Sequence, residues 1–157
     1  DASGRMVPVD DKAVDAALSG KRRGGGGVYG FEGDLLQDKK GGAKKAIALR
    51  LEPLKPGMPS YERVLSEDRQ NVTIGSRRGA VDVLLADEAV SKRHCVFGLI
   101  GVHNELAVSI VDHSTNGTWV NGKRVPAKGK RFRIHSGDRV EVKESSLEED
   151  YGWICDF

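Results

Sequence analysis

From residue 46 onward, short runs of apolar and β-branched residues alternate with polar turns. The runs at 95–100 and 106–111 flank residues 101–104 and predict a β-hairpin. Asn121-Gly122 lies between runs at 118–120 and 123–125 and is the strongest short hairpin signal. Other predicted strands lie at 46–51, 72–74, 81–85, 132–134, 139–142 and 153–155. Short strands at this spacing are typical of an all-β sandwich or barrel. The sequence shows no strand–helix–strand alternation, so a doubly wound α/β fold is not expected.

Residues 1–42 have a different composition from the rest of the chain. Segment 10–18 predicts a short helix with an aspartate cap and Gly20 as its stop. Three basic residues and four consecutive glycines follow at 21–27 and favour a flexible backbone. We therefore predict a glycine-rich, poorly structured tail or linker over 1–42 and one folded domain over 43–157.

Bulk composition narrows the classes of function. A net charge of +2 over 157 residues argues against strong attraction to nucleic acid or membranes. No apolar run approaches the roughly 20 residues of a membrane helix, and the two cysteines form no spaced framework. We expect a reduced, intracellular protein, nuclear or cytoplasmic, without cofactor or metal. Because the chain starts at Asp1 and ends inside a predicted strand, we expect it to be a piece of a longer protein.

Three polar segments, 73–78, 91–94 and 113–122, fall at the ends of predicted strands and in loops. Loops at one end of a β scaffold are a common layout for a binding site. Their Arg, Lys, Ser, Thr and Asn side chains suit an anion, above all a phosphate with close to two negative charges. The candidate phosphate ligands are Arg77 or Arg78, Ser91, Lys92 and Thr115, and Asn116 offers an amide to a peptide main chain.

The same segments resemble the forkhead-associated (FHA) domain family over roughly residues 44–157. The matching features, in order, are Gly75 with Arg77, Asp82-Val83-x-Leu85, Ser91-x-x-His94, Asn116-Gly117-Thr118, Val120-Asn121-Gly122 and Gly137-Asp138. The resemblance implies a β-sandwich of about eleven strands whose loops bind phosphothreonine peptides.

The resemblance also implies roles for individual residues. In the family the phosphate-binding arginine usually follows the glycine directly, whereas here Ser76 intervenes. Counting back from Asp82 transfers the role to Arg77, with Arg78 as the alternative. The other implied phosphate ligands are Ser91, Lys92 and Thr115, with Arg93 as an additional candidate. Asn116 is implied to bind the peptide main chain. Gly75, His94 and Gly117 are implied to support the site structurally.

Several alternatives compete with this interpretation. Ser91, His94 and Asp112 could form a catalytic set, but no nucleophile elbow surrounds Ser91. Gly-x-Gly-x-x-Gly at 25–30 lacks a preceding strand, and the histidines and cysteines lack a zinc spacing. The sandwich could be a phosphate-independent scaffold, using the basic segment 123–139 or the acidic residues of 144–150. Segment 123–139 could also contact nucleic acid weakly. Trp119 is predicted to lie in the core.

The threonines indicate where a ligand can come from. Thr73, Thr115 and Thr118 are the only ones, and all lie within the predicted sandwich. We therefore expect a non-catalytic module that mediates phosphorylation-dependent protein–protein interaction. Its ligand is expected to be a phosphothreonine-containing protein in trans, or a part of the parent protein outside this chain.

Overall fold

The structure is a computed structural model that describes residues 6–9 and 46–157. Eleven strands and no helix occur within these residues. The strands are β1 Ile47–Pro53, β2 Tyr61–Leu65, β3 Asn71–Gly75, β4 Val83–Leu84, β5 Cys95–Val102, β6 Glu105–Asp112, β7 Trp119–Val120, β8 Lys123–Arg124, β9 Arg131–Ile134, β10 Arg139–Glu141 and β11 Gly152–Asp156.

The strands form two sheets. One sheet has the order β2-β1-β11-β10-β7-β8, and the other has the order β4-β3-β5-β6-β9. Neighbours pair antiparallel except β3 and β4, which pair parallel. The predicted all-β sandwich of about eleven strands is therefore confirmed. The chain passes from one sheet to the other between β6 and β7, and this crossing carries part of the candidate site.

The core lies between the two sheets and follows the period-2 alternation of the strands. On β5, Cys95, Phe97 and Leu99 face the core and their neighbours face outward. Trp153 on β11 is fully buried, and its indole N–H donates to the Pro59 carbonyl at 2.7 Å. Cys95 and Cys155 are both buried and free, and burial raises the pKa of both thiols. These packed strands form a rigid frame for the loops at their ends.

Three details differ from the sequence predictions. Strand β2 was not predicted, because its charged residues and its exposed Val64 suit an edge strand that pairs only with β1. The β5–β6 hairpin turns at His103-Asn104 alone, with φ of 52° and 66°, so it is a two-residue turn rather than a four-residue one. The prediction that Trp119 lies in the core was wrong: it is only partly buried, because its ring packs beside Arg124 at the surface.

Residues 6–9 lie along β9, the edge strand of the five-stranded sheet. The Val9 N–H donates to the Arg131 carbonyl at 2.8 Å, and Pro8 pairs antiparallel with Phe132. Val9 also packs against Ile100 and Ala107 on the outer face of that sheet. The helix predicted at 10–18 lies outside the described residues, and the division at residue 42 stays a prediction.

Candidate functional site

Three loops meet at one end of the sandwich: 76–82 between β3 and β4, 85–94 between β4 and β5, and 113–118 between β6 and β7. The Ser76 N–H donates to the Ser91 carbonyl at 3.0 Å. The Thr115 N–H donates to the Ser91 hydroxyl oxygen at 3.0 Å, and the Asn116 amide donates to the Ala89 carbonyl at 3.2 Å. Segment 85–94 is therefore bonded to both other loops, and the three form one surface.

Gly75 is required where the first loop leaves β3. A Cβ at this position would collide with the Lys92 carbonyl oxygen, so only glycine allows the two segments to approach so closely. The Arg77 N–H donates to the same carbonyl at 3.3 Å, which places Arg77 beside Lys92. The first two loops are thus joined by two successive main-chain hydrogen bonds, from Ser76 to Ser91 and from Arg77 to Lys92, and these accommodate the inserted Ser76.

Arg77 and Arg78 occupy different places in one turn. The Ala80 N–H donates to the Arg77 carbonyl at 3.1 Å, and Gly79 has a φ of +84°, as in a type II turn. Arg77 is the first residue of this turn and adjoins the second loop, whereas Arg78 is its outer corner. Both side chains are exposed.

His94 is fully buried beneath the loops and connects two of them. Its Nδ1 accepts from the Ser91 N–H at 3.1 Å, and its Nε2 lies 2.8 Å from the Gly117 carbonyl. A carbonyl only accepts, so Nε2 carries the proton and the ring is the neutral Nε2–H tautomer. Burial lowers the pKa of His94, against the opposing effects of the Gly117 carbonyl and Asp112.

Loop 113–118 is held from within by Asp112, which is buried. Its Oδ1 accepts from the Ser114 N–H at 3.0 Å, the Ser114 hydroxyl at 2.6 Å and the Thr118 hydroxyl at 2.8 Å. The Ser114 hydroxyl oxygen in turn accepts from the Gly117 N–H at 2.7 Å. These bonds leave Thr115 and Asn116 exposed at the tip of the loop.

Several exposed cations lie at the loop end. Elsewhere some cations pair with carboxylates, as Arg50 does with Glu62 and Arg63 with Asp82. At the loop end, five exposed cations make no ion pair with any carboxylate of the described residues: Arg77, Arg78, Lys92, Arg93 and Arg124. Uncompensated positive charge beside hydroxyl and amide groups suits an anionic ligand.

A further cation, Lys143, supports the second loop from below. Its ammonium lies 3.0 Å from an Asp87 carboxylate oxygen and 2.7 Å from a Glu148 oxygen, over the Tyr151 ring. The Ala89 N–H and the Lys143 ammonium lower the pKa of Asp87. Asp87 also accepts from the Val90 N–H through its carbonyl, so it fixes the turn that presents Ala89 to Asn116.

The state of His94 predicts how stability depends on pH. An unfolded histidine titrates near pH 6.5, and its folded pKa is lowered here, so the unfolded chain binds more protons as the pH falls. His113 acts in the same direction, because burial and Arg93 lower its pKa. We expect the contribution of these histidines to the free energy of unfolding to be fully present near pH 7 and to be lost as the pH falls below about 6.5. Chemical denaturation at several pH values measures this, and His94→Asn should flatten the dependence. An unchanged slope in that variant would contradict the assignment to His94.

The hydrogen bonds that a catalytic set of Ser91, His94 and Asp112 would require are not formed. The Ser91 hydroxyl oxygen contacts the Thr115 N–H, while His94 contacts the Ser91 main chain rather than its hydroxyl. Asp112 Oδ1 is occupied by Ser114 and Thr118. No cluster of three metal-ligating side chains occurs among residues 6–9 and 46–157. Within the same residues, no helix is long and apolar enough to cross a membrane.

Two features of the site were not found from sequence. Arg124 lies against Gly117, and the Asn-Gly hairpin could have revealed this by placing Arg124 opposite Trp119. The bond from Lys143 to Asp87 joins residues that are 56 positions apart, so no local sequence pattern indicated it. The basic segment 123–139 is not uniform, since Arg139 is paired with Glu141 and Asp150.

Comparisons with known proteins agree with this architecture. The FHA domain family model matches residues 72–143. A probable serine/threonine-protein kinase, fhkA of Dictyostelium discoideum, is 32% identical over 90 residues, covering 54% of this chain and 15% of that protein. The DNA damage response protein kinase DUN1 of Saccharomyces cerevisiae is 29% identical over 92 residues, covering 56% of this chain and 18% of that protein. The chain thus spans less than a fifth of the length of these relatives.

Among solved structures, the N-terminal FHA domain of S. cerevisiae Rad53p, in complex with a phosphothreonine peptide, aligns with a TM-score of 0.58. It is 22% identical, and the alignment covers 71% of this chain and 94% of that one. This likeness shows the fold. The family model, over residues 72–143, and this shared fold both match the β-sandwich of this chain to forkhead-associated domains.

Proposed function

We propose that this domain binds phosphothreonine peptides and thereby mediates phosphorylation-dependent contacts between proteins, without catalytic activity of its own. The observation that carries the proposal is the meeting of three interlocked loops around cations that have no carboxylate partner among the described residues. The FHA domain of Rad53p, which has the same fold, was solved with a phosphothreonine peptide.

Arg77, Ser91, Lys92 and Thr115 are the proposed phosphate ligands. Arg77 and Lys92 are exposed and lie side by side through the Arg77 N–H bond to the Lys92 carbonyl. The Ser91 oxygen accepts from the Thr115 N–H, so its own O–H remains a donor for a phosphate oxygen. Arg93 is an additional candidate, since it is exposed on the second loop; burial and the charge of Arg93 lower the pKa of His113 on the neighbouring loop. Gly75, His94 and Gly117 act by keeping the loops in place.

Asn116 is the proposed contact for the peptide main chain. Its Nδ2 donates to the Ala89 carbonyl at 3.2 Å, which fixes the orientation of the amide. The Oδ1 on the other side of the amide can then accept a hydrogen bond from a peptide N–H. Fixing the amide in advance lowers the entropic cost of binding.

The ligand is proposed to belong to another protein or to a part of the parent protein outside this chain. Thr118 is buried and donates to Asp112, and Thr73 is half-buried in β3. Thr115 is exposed but belongs to the proposed site itself. None of the three can therefore be phosphorylated and present itself to this site as a flexible peptide.

A titration against a phosphothreonine peptide library tests the proposal, with unphosphorylated and phosphoserine versions as controls. Three or four charge-assisted hydrogen bonds, less the cost of association, predict a dissociation constant of about 1 μM. Binding restricted to phosphothreonine peptides would support the proposal. Absence of binding to every peptide would reject it. A steeply salt-dependent binding of DNA would then favour the basic segment 123–139 as a nucleic-acid contact.

Replacing Lys143 with methionine should weaken the site indirectly. The change keeps the length of the side chain but removes the ammonium that holds Asp87 and Glu148. We expect a lower melting temperature and phosphopeptide binding weakened by about threefold, because partly exposed ion pairs contribute little individually. Thermal unfolding and peptide titration measure both effects, with Lys123→Met as the exposed control. Wild-type values for Lys143→Met would show that this network does not support the loop.

A further inference from the structure

Arg124, the last residue of β8, lies against the loop that carries Asn116. In the β7–β8 hairpin Arg124 pairs with Trp119, and its guanidinium carbon lies 5.8 Å from the centre of the Trp119 ring. This distance is within the range of a cation–π contact. A Cβ built on Gly117 would lie only 2.8 Å from Arg124 Nε and 3.0 Å from the Trp119 ring. The guanidinium therefore fills the space that the absent side chain of Gly117 leaves, one residue from Asn116.

Gly117 has two reasons to be glycine. Its φ of +117° is a backbone conformation that residues with a side chain rarely adopt. Its missing side chain also makes room for Arg124. A guanidinium stacked on a ring and confined by a neighbouring loop loses little freedom when it binds a ligand.

The charge of Arg124 is left available. The residue is exposed, and it makes no ion pair with a carboxylate of the described residues. Arg139, on β10 two strands away in the same sheet, pairs instead with Glu141 and Asp150. The sandwich thus neutralises one arginine and leaves the other, beside the proposed peptide contact, without a partner of opposite charge.

We propose that Arg124 is a specificity-determining residue that recognises an acidic side chain of the bound phosphopeptide, close to the peptide group held by Asn116. The inference rests on the proposed function, because it assigns a second contact to the same ligand. A carboxylate suits the position, since its two oxygens match the planar N–H donors of a guanidinium. The phosphate itself is assigned to Arg77, Ser91 and Lys92 on the adjoining loops and to Thr115 on the same loop as Asn116.

Lys123 provides a matched control. It is also exposed and precedes Arg124 on the same strand, so its side chain leaves the opposite face of β8. Loss of its charge changes the net charge of the protein by the same amount as loss of the Arg124 charge. A general electrostatic effect should therefore be the same in both variants, whereas a specific contact should depend only on Arg124.

The test compares phosphothreonine peptides in which each flanking position carries either aspartate or asparagine. Dissociation constants are measured for the wild type, Arg124→Gln, Arg124→Lys and Lys123→Gln, with the melting temperature of each variant. Exposed ion pairs predict a preference of about two- to fivefold for aspartate at one or more positions in the wild type. This ratio should approach one in Arg124→Gln, persist in part in Arg124→Lys, and stay unchanged in Lys123→Gln.

The aspartate-to-asparagine ratio separates recognition from structural support. If Arg124 only braced Gly117, Arg124→Gln would weaken all phosphopeptides equally and leave the ratio unchanged, which would overturn the inference. A wild type that shows no preference at any position would also overturn it, although phosphothreonine binding would persist. If no phosphothreonine peptide binds, whatever its flanking residues, the proposed function itself fails.

Discussion

Replacing Arg77 with alanine is expected to weaken phosphothreonine-peptide binding by about 100-fold or more. A bidentate arginine–phosphate contact consists of two charge-assisted hydrogen bonds, each contributing roughly 1.5–3 kcal/mol. Since about 1.4 kcal/mol corresponds to a tenfold change in affinity, their loss takes a micromolar ligand beyond detection in an ordinary titration. Isothermal calorimetry or fluorescence anisotropy measures the change.

The fold should not be affected by this substitution. Arg77 is exposed and has no ion pair among the described residues, so its side chain contributes little to stability. We expect a melting temperature close to that of the wild type. Arg78→Ala is the matched control, because Arg78 lies at the outer corner of the same turn, and we expect it to change the affinity by no more than about threefold. The opposite result, with Arg78→Ala damaging and Arg77→Ala silent, would assign the phosphate to Arg78.

His94→Ala is expected to lower both stability and binding. The substitution removes a fully buried ring and leaves the Ser91 N–H and the Gly117 carbonyl without their partners. A cavity plus two unsatisfied buried groups predicts a loss of about 3–5 kcal/mol in the free energy of unfolding. Phosphopeptide affinity should fall as well, because Ser91 and Gly117 belong to the two loops that His94 connects.

Urea denaturation and peptide titration of the same protein sample measure both effects. His94→Asn serves as the comparison, since a shorter side chain can still offer an acceptor to the Ser91 N–H and should retain part of the stability. A variant that unfolds as the wild type does but loses affinity would instead make His94 a direct ligand contact. That result would contradict the buried, bridging position described above.

Most of the sandwich was predictable from local patterns. The apolar runs of β5 and β6 and the Asn121-Gly122 turn identified strands and hairpins, because apolar runs and turn chemistry are local properties of the sequence. Edge strand β2 was missed because its local pattern is misleading: its charged residues resemble those of a loop. It is a strand because it pairs with β1, which the local sequence does not show. The pairing of Pro8 with Phe132 depends on a contact between distant segments and had no sequence signal.

The candidate site shows the same division between local and long-range information. Residue types and order were enough to select Gly75, Ser91, His94 and Asn116, which the structure places on adjoining segments. The preference for Arg77 over Arg78 came from its spacing to Asp82 and stays a prediction, which the bond from the Arg77 N–H to the Lys92 carbonyl supports. Arg124 was noted only as one of several basic residues in segment 123–139. Arg124 comes to lie against Gly117 only because the β7–β8 hairpin pairs it with Trp119.

The crossing between β6 and β7 couples the loops to the two sheets. Loops 76–82 and 85–94 connect strands of the five-stranded sheet, whereas loop 113–118 leads into the six-stranded sheet. A peptide held by Ser91 on one side and by Asn116 on the other would tie the sheets together at one end, as a removable cross-link. By mass action, a ligand at 100 times its dissociation constant adds about 2.7 kcal/mol to the stability of a folded protein. Phosphorylation of a partner would then raise the stability of this domain as well as control its interactions.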